Sequence, residues 1–540
     1  MFRKRWRKLL AASLIVGTLT FAPEIYDVKN FSVVHAEVKL YTAMGVDYGN
    51  ELESQEIVKL RARDKAIKNA VKQAGVYLKT YSRSVNSELT DDEITAITSN
   101  AYELVGEPKY NRVIKQVSDQ ITLIVWEVTV DVNVDDGEIT KWYNRDGTER
   151  SNLISQTRET NEAAAENERK VEDLRKRANN VTDEAGRAQL KKEFEQADNE
   201  FLSNQKLEEG NQLAYKGEFT KSIKLFTEAI ELNPNNAAAY YAKGTRYYSL
   251  SIGNKNDTKK FHALAVADLS KAIELKPDYS DAYIERAFIH YYMKNSDQCI
   301  EDFNRAVEIA PNKAQSYYSR SFYYQFVAKD NARALADLNK AVELEPNNAE
   351  CYTTRAVFYE ITKNYDRAIY DLNKAVELAP NNHRTYAARA RFYISSLIDS
   401  ASRDYKRATE DYTRAIELEQ RENMLALYYF GRGGCYKELK MYDKAITDYT
   451  QAIELGAENE NIQNLLPHIY STRGKCYQEL KLYDKAIADY TKAILLWKRG
   501  EAYKLSIALA YENRGKCYEA LGETAKAQAD MKKHKELEKK

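Results

Sequence analysis

The sequence predicts a mainly α-helical chain, most of it an extended array of helix-turn-helix repeats, and three observations carry that prediction. Five of the eight prolines, Pro234, Pro277, Pro311, Pro346 and Pro380, stand 43, 34, 35 and 34 residues apart, and a period near 34 marks stacked helix pairs. The text around them recurs, as Ala-Ile-Glu-Leu-Asn-Pro-Asn-Asn (229–236), Ala-Val-Glu-Leu-Glu-Pro-Asn-Asn (341–348) and Ala-Val-Glu-Leu-Ala-Pro-Asn-Asn (375–382). Eight Pro and 20 Gly in 540 residues are too few for a turn-rich sandwich or barrel. With 44% hydrophobic and 30% charged residues the chain is foldable. Its 81 basic and 81 acidic side chains cancel, which excludes bulk attraction to nucleic acid or an anionic membrane. Tyrosine, at 41 copies, is the compositional outlier.

Residues 1–36 read as an export leader. The chain begins with a basic head through Lys8, and Leu9 to Ala22 carry no charge, the layout of a secretory signal peptide. That apolar stretch is shorter than the ~20 residues of a membrane-spanning helix. Val34-His35-Ala36 places cleavage before Glu37, while the spacer from Pro23 leaves room for an uncleaved anchor. The expected location is outside the cytoplasm, in a periplasm or at the cell surface.

Residues 37–150 read as a small α+β domain. Val38, Leu40, Thr42, Met44 and Val46 alternate with polar or small residues, as in a strand. Glu51 to Ala74 reads as a helix with an alanine stripe at Ala62, Ala66, Ala70 and Ala74, stopped by Gly75. Thr90-Asp-Asp-Glu93 is a capping box opening a second helix that runs to about Val105. Thr122, Ile124, Trp126, Val128, Val130, Val132 and Val134 form one face of a long strand, and Tyr110 to Val117 is its hairpin partner. The helix text Ala62-Arg-Asp-Lys-Ala-Ile-Lys-Asn-Ala-Val-Lys-Gln-Ala-Gly75 resembles the N-terminal domain of flagellar assembly protein T and a related group of bacterial envelope lipoproteins. The resemblance implies a cell-envelope assembly role without chemistry. The first cysteine is Cys299, so the lipidation cysteine of the lipoprotein branch is missing.

Residues 151–202 form a charged helical linker, with 21 charged side chains in 52. Val171, Leu174, Ala178, Val181, Ala185 and Ala188 keep a 3–4 spacing, a weak coiled-coil seam. A spacer docked on the first repeat is favoured over an oligomerising stalk.

Residues 203–540 hold nine repeats. A small residue recurs on each first helix (Gly210, Gly244, Ala287, Ser321, Ala356, Ala390, Gly433, Gly474, Gly515) and another on each second helix, from Ser222 to Ala527. This pattern resembles the tetratricopeptide repeat family and implies its α-solenoid. Tyrosines three residues after the first small position are expected as knobs filling the gap between paired helices. Repeats two and six carry insertions, near 251–260 and 397–403, expected as loops, and the last three repeats lengthen to 41 residues. Cys435, Cys476 and Cys517 fall on that same spacing and read as buried thiols rather than disulfides. A basic residue before the small position (Lys243, Arg286, Arg320, Arg355, Arg389, Arg432, Arg473, Arg514) recurs with an aspartate on the second helix (Asp268, Asp302, Asp337, Asp371, Asp411, Asp448, Asp489, Asp530). Repeat one lacks both, so an ion pair within each repeat is expected.

In this family the first helices line a concave groove. Carried over by position, the resemblance implies an aromatic front, from which Tyr241, Tyr248, Tyr291, Tyr318 and Phe322 are the candidate partner-binding residues. The back, with Lys437, Glu438, Lys475, Glu479, Glu512 and Lys516, is mixed in charge. The six histidines are scattered, and no zinc, phosphate-loop or nucleophile motif is present. No catalytic, metal or cofactor residue is assigned. The expected function is that of an extracytoplasmic scaffold that holds a protein or peptide in its groove and attaches to an envelope assembly through its N-terminal domain. The alternative is a module whose groove tyrosines bind cell-wall or exopolysaccharide glycans.

Overall fold

The computed structural model describes residues 38–538 except 85–88, 119–120, 136, 144–146, 254–256, 396–402, 420–421, 457–462, 464 and 498–503. The expected leader and nearly all of the insertion in repeat six lie outside the described residues.

The N-terminal sheet is centred on β4 (Ile121–Asp135). Along one edge β1 (Val38–Gly49) runs antiparallel to it, from Val38 opposite Asp135 to Gly49 opposite Ile124. Along the other lie β3 (Lys109–Ser118), its hairpin partner, and the two-residue β2 (Glu103–Leu104). Val128, Val130, Val132 and Val134 of β4 are buried beneath α1 (Gln55–Ser84), as the alternation predicts.

On β1 the outcome is reversed. Val38, Leu40, Met44 and Val46 are exposed, and the row Ala43, Gly45, Asp47 faces the helix. The cause is close approach. A Cβ on Gly45 would stand 2.2 Å from the Ala62 carbonyl oxygen and from the Ala66 nitrogen, so the backbone of α1 lies directly on the strand. The stripe Ala62, Ala66, Ala70 and Ala74, fully buried, is what allows it.

Helix α1 also runs through Gly75, where the sequence reading ends it. A mid-helix glycine costs roughly 1 kcal/mol, and burying Leu78 beyond it returns about 2 kcal/mol. Gly75 admits α2 (Asp91–Ala101) instead: its absent Cβ would lie 3.4 Å from Ile94. The capping box on Thr90 and Glu93 is present. The helix ends at Ala101 rather than Val105 because Glu103 and Leu104 pair with β4.

After the short α3 (Gly137–Tyr143), the charged segment forms two long helices, α4 (Gly147–Ala178) and α5 (Glu184–Tyr215). The seam residues Val171 and Leu174 close an intramolecular hairpin with Leu190, Phe194 and Ala197. The boundary expected at 202 falls inside α5, which is the arm of this hairpin and then the first helix of repeat one.

A buried charge cluster ties the hairpin to the sheet domain. Arg175 of α4 donates to Glu53 at 2.9–3.1 Å and to Asp47 at 3.2 Å. Arg61 of α1 donates to Glu53 at 3.1 Å and to Asp198 of α5 at 2.6 Å. Lys65 adds a third cation to these three carboxylates, 3.2 Å from Asp47. Burial still pushes the Asp198 carboxyl up to about 6. Removing one member of such a cluster strands a charge away from water and is strongly destabilising.

Among the described residues eight further helix pairs follow repeat one, from 237–275 to 504–538. The turns between paired helices place Gly217, Lys294, Lys329, Lys363, Lys440, Lys481 and Gly522 at positive φ. The insertion of repeat two extends its helices, which end at Gly253 and restart at Thr258, in place of most of the expected loop. All five cysteines are free and buried.

The expected ion pair forms in every repeat that has its residues. Arg355, for example, grips Asp371 with Nε and Nη2, both at 2.8 Å, and donates Nη1 to Asn339 of the preceding repeat at 3.0 Å. Arg286, Arg320, Arg389, Arg432, Arg473 and Arg514 do the same, with Ser270, Asn304, Asn373, Thr413, Thr450 and Thr491 as the preceding partners. Each arginine thus closes its own repeat and joins it to the one before. Lys243 reaches Asp268 at 3.1 Å but, with a point charge, has no fork to share.

The tyrosines belong to this ladder. Arg320, Arg355, Arg432, Arg473 and Arg514 each lie between two tyrosine rings, one three residues before and one four after, at 5.3–5.9 Å from the centroids. Five of the tyrosines expected as knobs, Tyr324, Tyr359, Tyr436, Tyr477 and Tyr518, are thus also cation–π flanks, and Tyr324 and Tyr359 are at the same time buried in the core. The second helix also fills the space opposite the small residue, as where Tyr449 would lie 2.9 Å from a Cβ on Gly433.

Candidate functional site

The face made by the first helices divides in two. Over repeats one to three it is covered by the chain's own α4. Ser155 donates to Asp281 at 2.6 Å, Gln156 donates to Thr245 at 3.3 Å, and Glu159 accepts from Lys276 at 2.5 Å. Asn211 of α5 donates to Thr160 at 3.3 Å. These contacts step across three successive repeats, so α4 lies on them as a bound helix would.

Tyr241, the first candidate residue, is one turn before Thr245 and fully buried, its ring 4.7 Å from that of Tyr279. Burial, with Asp281 and Glu285 nearby, pushes its phenol well above the ordinary value. Ile284, on the first helix of the next repeat, is also buried. At this end the aromatic side chains are an interior under α4.

Beyond α4 the aromatic residues form a continuous strip. Tyr248 lies 6.1 Å from Tyr292, ring to ring, and both lie 6.2 Å from His262, whose imidazole is pulled below its usual pKa by burial. Tyr291 meets Tyr292 at 5.2 Å and Phe322 at 4.8 Å, each edge to face. Phe322 continues to Phe326 at 4.9 Å and to Phe288 at 5.7 Å. Tyr318 is half-buried behind this strip, beside Ala314 and Cys351.

One repeat further on, Val357 and Ile361 occupy the positions of Phe322 and Phe326, and both are exposed. Tyr292 is 55% exposed and Phe326 38%. The structure therefore groups Tyr248, Tyr291 and Phe322 of the candidates and places Tyr241 apart from them. The sequence reading passed over Phe288, Val357 and Ile361, although their register matched that of residues it chose.

At the back of the array Lys437 pairs with Glu438 at 2.8 Å and Lys516 with Glu512 at 2.6 Å. Four of the six charged residues expected there are thus paired with one another. A cavity of about 490 Å³ between α2 and α4 is lined by Asp92, Arg158, Asn161, Glu162 and Arg169, with Arg158 bonded to Asp92 at 2.8 Å. Among the described residues no group of three or more His, Cys, Asp or Glu side chains could hold a metal ion. No helix among them is long and apolar enough to cross a membrane.

Family models match the repeats. The model described as TPR repeat covers 210–251, and tetratricopeptide repeat models cover 280–313, 338–370, 426–459 and 465–537. No curated protein sequence matches the chain. Solved structures that are similar include a tetratricopeptide repeat protein from Parabacteroides merdae, at 18% identity over 50% of this chain and 99% of that one, with a TM-score of 0.36. Pseudomonas aeruginosa PilF is 17% identical over 42% and 95%, with a TM-score of 0.33. MamA from Desulfovibrio magneticus is 16% identical over 33% and 95%, with a TM-score of 0.28. With the arginine ladder and the paired helices, the matched models establish the family: the chain is a tetratricopeptide repeat protein.

Proposed function

We propose that the chain is an exported, non-catalytic scaffold whose array holds a protein partner on the strip from Tyr248 to Ile361, and whose N-terminal domain attaches it to a cell-envelope assembly. Tetratricopeptide repeats serve as protein-interaction scaffolds, which is the coarse part of this reading. The observation that carries the finer part is the strip itself. Tyr292, Phe326, Val357 and Ile361 are exposed apolar side chains on the first helices of three successive repeats, and exposed apolar groups so repeated mark interaction sites. Support for export is the basic, then apolar, start of the sequence. Support for the envelope role is the resemblance of residues 62–75 to the flagellar assembly protein T domain.

A protein partner fits better than a glycan. Sugar rings stack on flat, open aromatic faces, whereas Tyr291 and Phe322 meet at 84° and Tyr291 and Tyr292 at 70°. Those faces are turned against one another, and what reaches solvent is an uneven apolar ridge suited to side chains.

The test is cross-linked capture from envelope extract with the full chain, since α5 cannot be cut at repeat one without losing its hairpin. Replacing Tyr292 and Phe326 together by aspartate leaves the melting transition unchanged and lowers capture of a discrete protein by at least about tenfold. Equal capture by parent and variant, or capture of cell-wall glycan alone, contradicts the reading.

A further inference from the structure

The sheet domain carries a second exposed apolar row, on β1. Among the described residues β1 pairs only with β4, so its other edge is a strand edge of 12 residues without a bulge. Natural proteins shorten, bend or charge such edges because they template further strands. Here the outward row Val38, Leu40, Met44 and Val46 is 41–58% exposed.

The edge has an addressable backbone. The Met44 carbonyl accepts from Asn69 Nδ2 at 2.9 Å, so it points away from β4. In an antiparallel ladder residues of the same parity point the same way, and the N–H and C=O groups of Val38, Leu40 and Thr42 therefore face outward too. Beside them is a groove of about 510 Å³ between β1 and α1, lined by Thr42, Met44, Asn69, Lys72, Gln73 and Val76.

We propose that this groove takes one extended segment of a partner polypeptide as a further strand on β1, with apolar and acidic residues in alternation. Successive side chains of an added strand point to opposite faces of the sheet. On one face they would meet Val38, Leu40, Met44 and Val46. On the other they would meet Asn69, Lys72 and Gln73 of α1, two amides and a cation. That pairing of faces selects the alternation, and Lys72 selects acids over bases. A helix would satisfy neither the row of backbone groups nor the groove between strand and helix. A second copy of the chain is disfavoured by charge: pairing two β1 edges brings the two α1 helices side by side, Lys72 towards Lys72. The inference gives the attachment domain its docking site, and it rests on that reading for taking a protein as the partner.

The probe is an end-blocked, fluorescein-labelled nonapeptide alternating valine and glutamate, with a peptide of the same composition in two blocks as control. Anisotropy is measured on the full chain, with hydrogen exchange at the amides of Leu40 and Thr42. The expected result is binding of the alternating peptide only, with slowed exchange at those amides. Lys72→Glu, an exposed change on a helix, weakens binding about tenfold. Leu40→Pro removes an outward N–H without touching the β4 ladder and abolishes binding. Binding equal in the parent and Lys72→Glu, or no binding by the parent, overturns the proposal. A concentration-dependent dimer lost in Leu40→Pro overturns it in favour of a second copy. Peptide binding that persists when the Tyr292 and Phe326 variant shows unchanged capture places the failure in the array reading alone.

Discussion

Arg355→Leu lowers the stability of the middle of the array by about 3–5 kcal/mol, the range for stranding one member of a buried ion pair. Asp371 is 1% exposed and takes both oxygens' bonds from Arg355 at 2.8 Å. The same substitution deletes the bond to Asn339 of the preceding repeat and the cation held between Tyr352 and Tyr359. Because a solenoid is stabilised by repeats and their nearest interfaces, the loss appears locally. Urea unfolding followed by hydrogen exchange should show repeats four to six opening ahead of their neighbours. Replacing Asp371 by leucine in addition should recover a large share of the loss, since no carboxylate is then left unpaired. A single variant within about 1 kcal/mol of the parent would mean that the pair behaves as an exposed one.

Gly45→Ala has an effect of comparable size on the other domain. The added methyl would stand 2.2 Å from two backbone atoms of α1, and a backbone cannot rotate out of the way as a side chain can. Overpacking a core costs roughly 1–3 kcal/mol when side chains yield, so about 3 kcal/mol or more is expected here. Trp142 is fully buried in the cluster that α1 shares with the sheet, and its fluorescence reports the change. An unaltered midpoint and spectrum would show that α1 does not rest on β1 at Gly45.

The array was legible in the sequence because its physics is local and repeated. A small residue every 34 to 43 positions, a proline after the second helix and an arginine matched by an aspartate all lie within one repeat, and recurrence removes the noise. Joint absence of the pair in repeat one was enough to infer the ladder. The second role of each arginine, bonding back to Asn339 and its equivalents, was not legible, since it depends on how repeats stack. The tyrosine excess was visible, but only half of its cause. A ring three residues after a small position reads as packing, and that Tyr324, Tyr359, Tyr436, Tyr477 and Tyr518 also lie against the arginine four residues before them does not show in the spacing.

The covering of the front groove was hidden for a different reason. Helix α4 reads as a charged spacer, and it is held to repeats one to three by scattered hydrogen bonds, given by Ser155 and Gln156 and accepted by Glu159 and Thr160, whose partners are 51–126 positions away. No periodicity marks them. A weak signal existed: Leu153, Gln156, Thr157, Thr160, Asn167, Val171 and Leu174, all buried, fall on one face of the helix. A search for apolar spacing registers only the last two of those and the first. The candidate site inherited this blindness, so Tyr241 was grouped with Tyr291 and Phe322 although one lies under α4 and the others beyond it.

The decisive measurement is site-specific photo-crosslinking in the envelope with benzoylphenylalanine at position 241 or 292 of the full chain. If α4 closes the front of the array and the partner lies on the strip beyond it, position 292 captures a discrete foreign protein, and position 241 yields only internal crosslinks. A foreign protein captured from position 241, or none from position 292, contradicts that division of the groove.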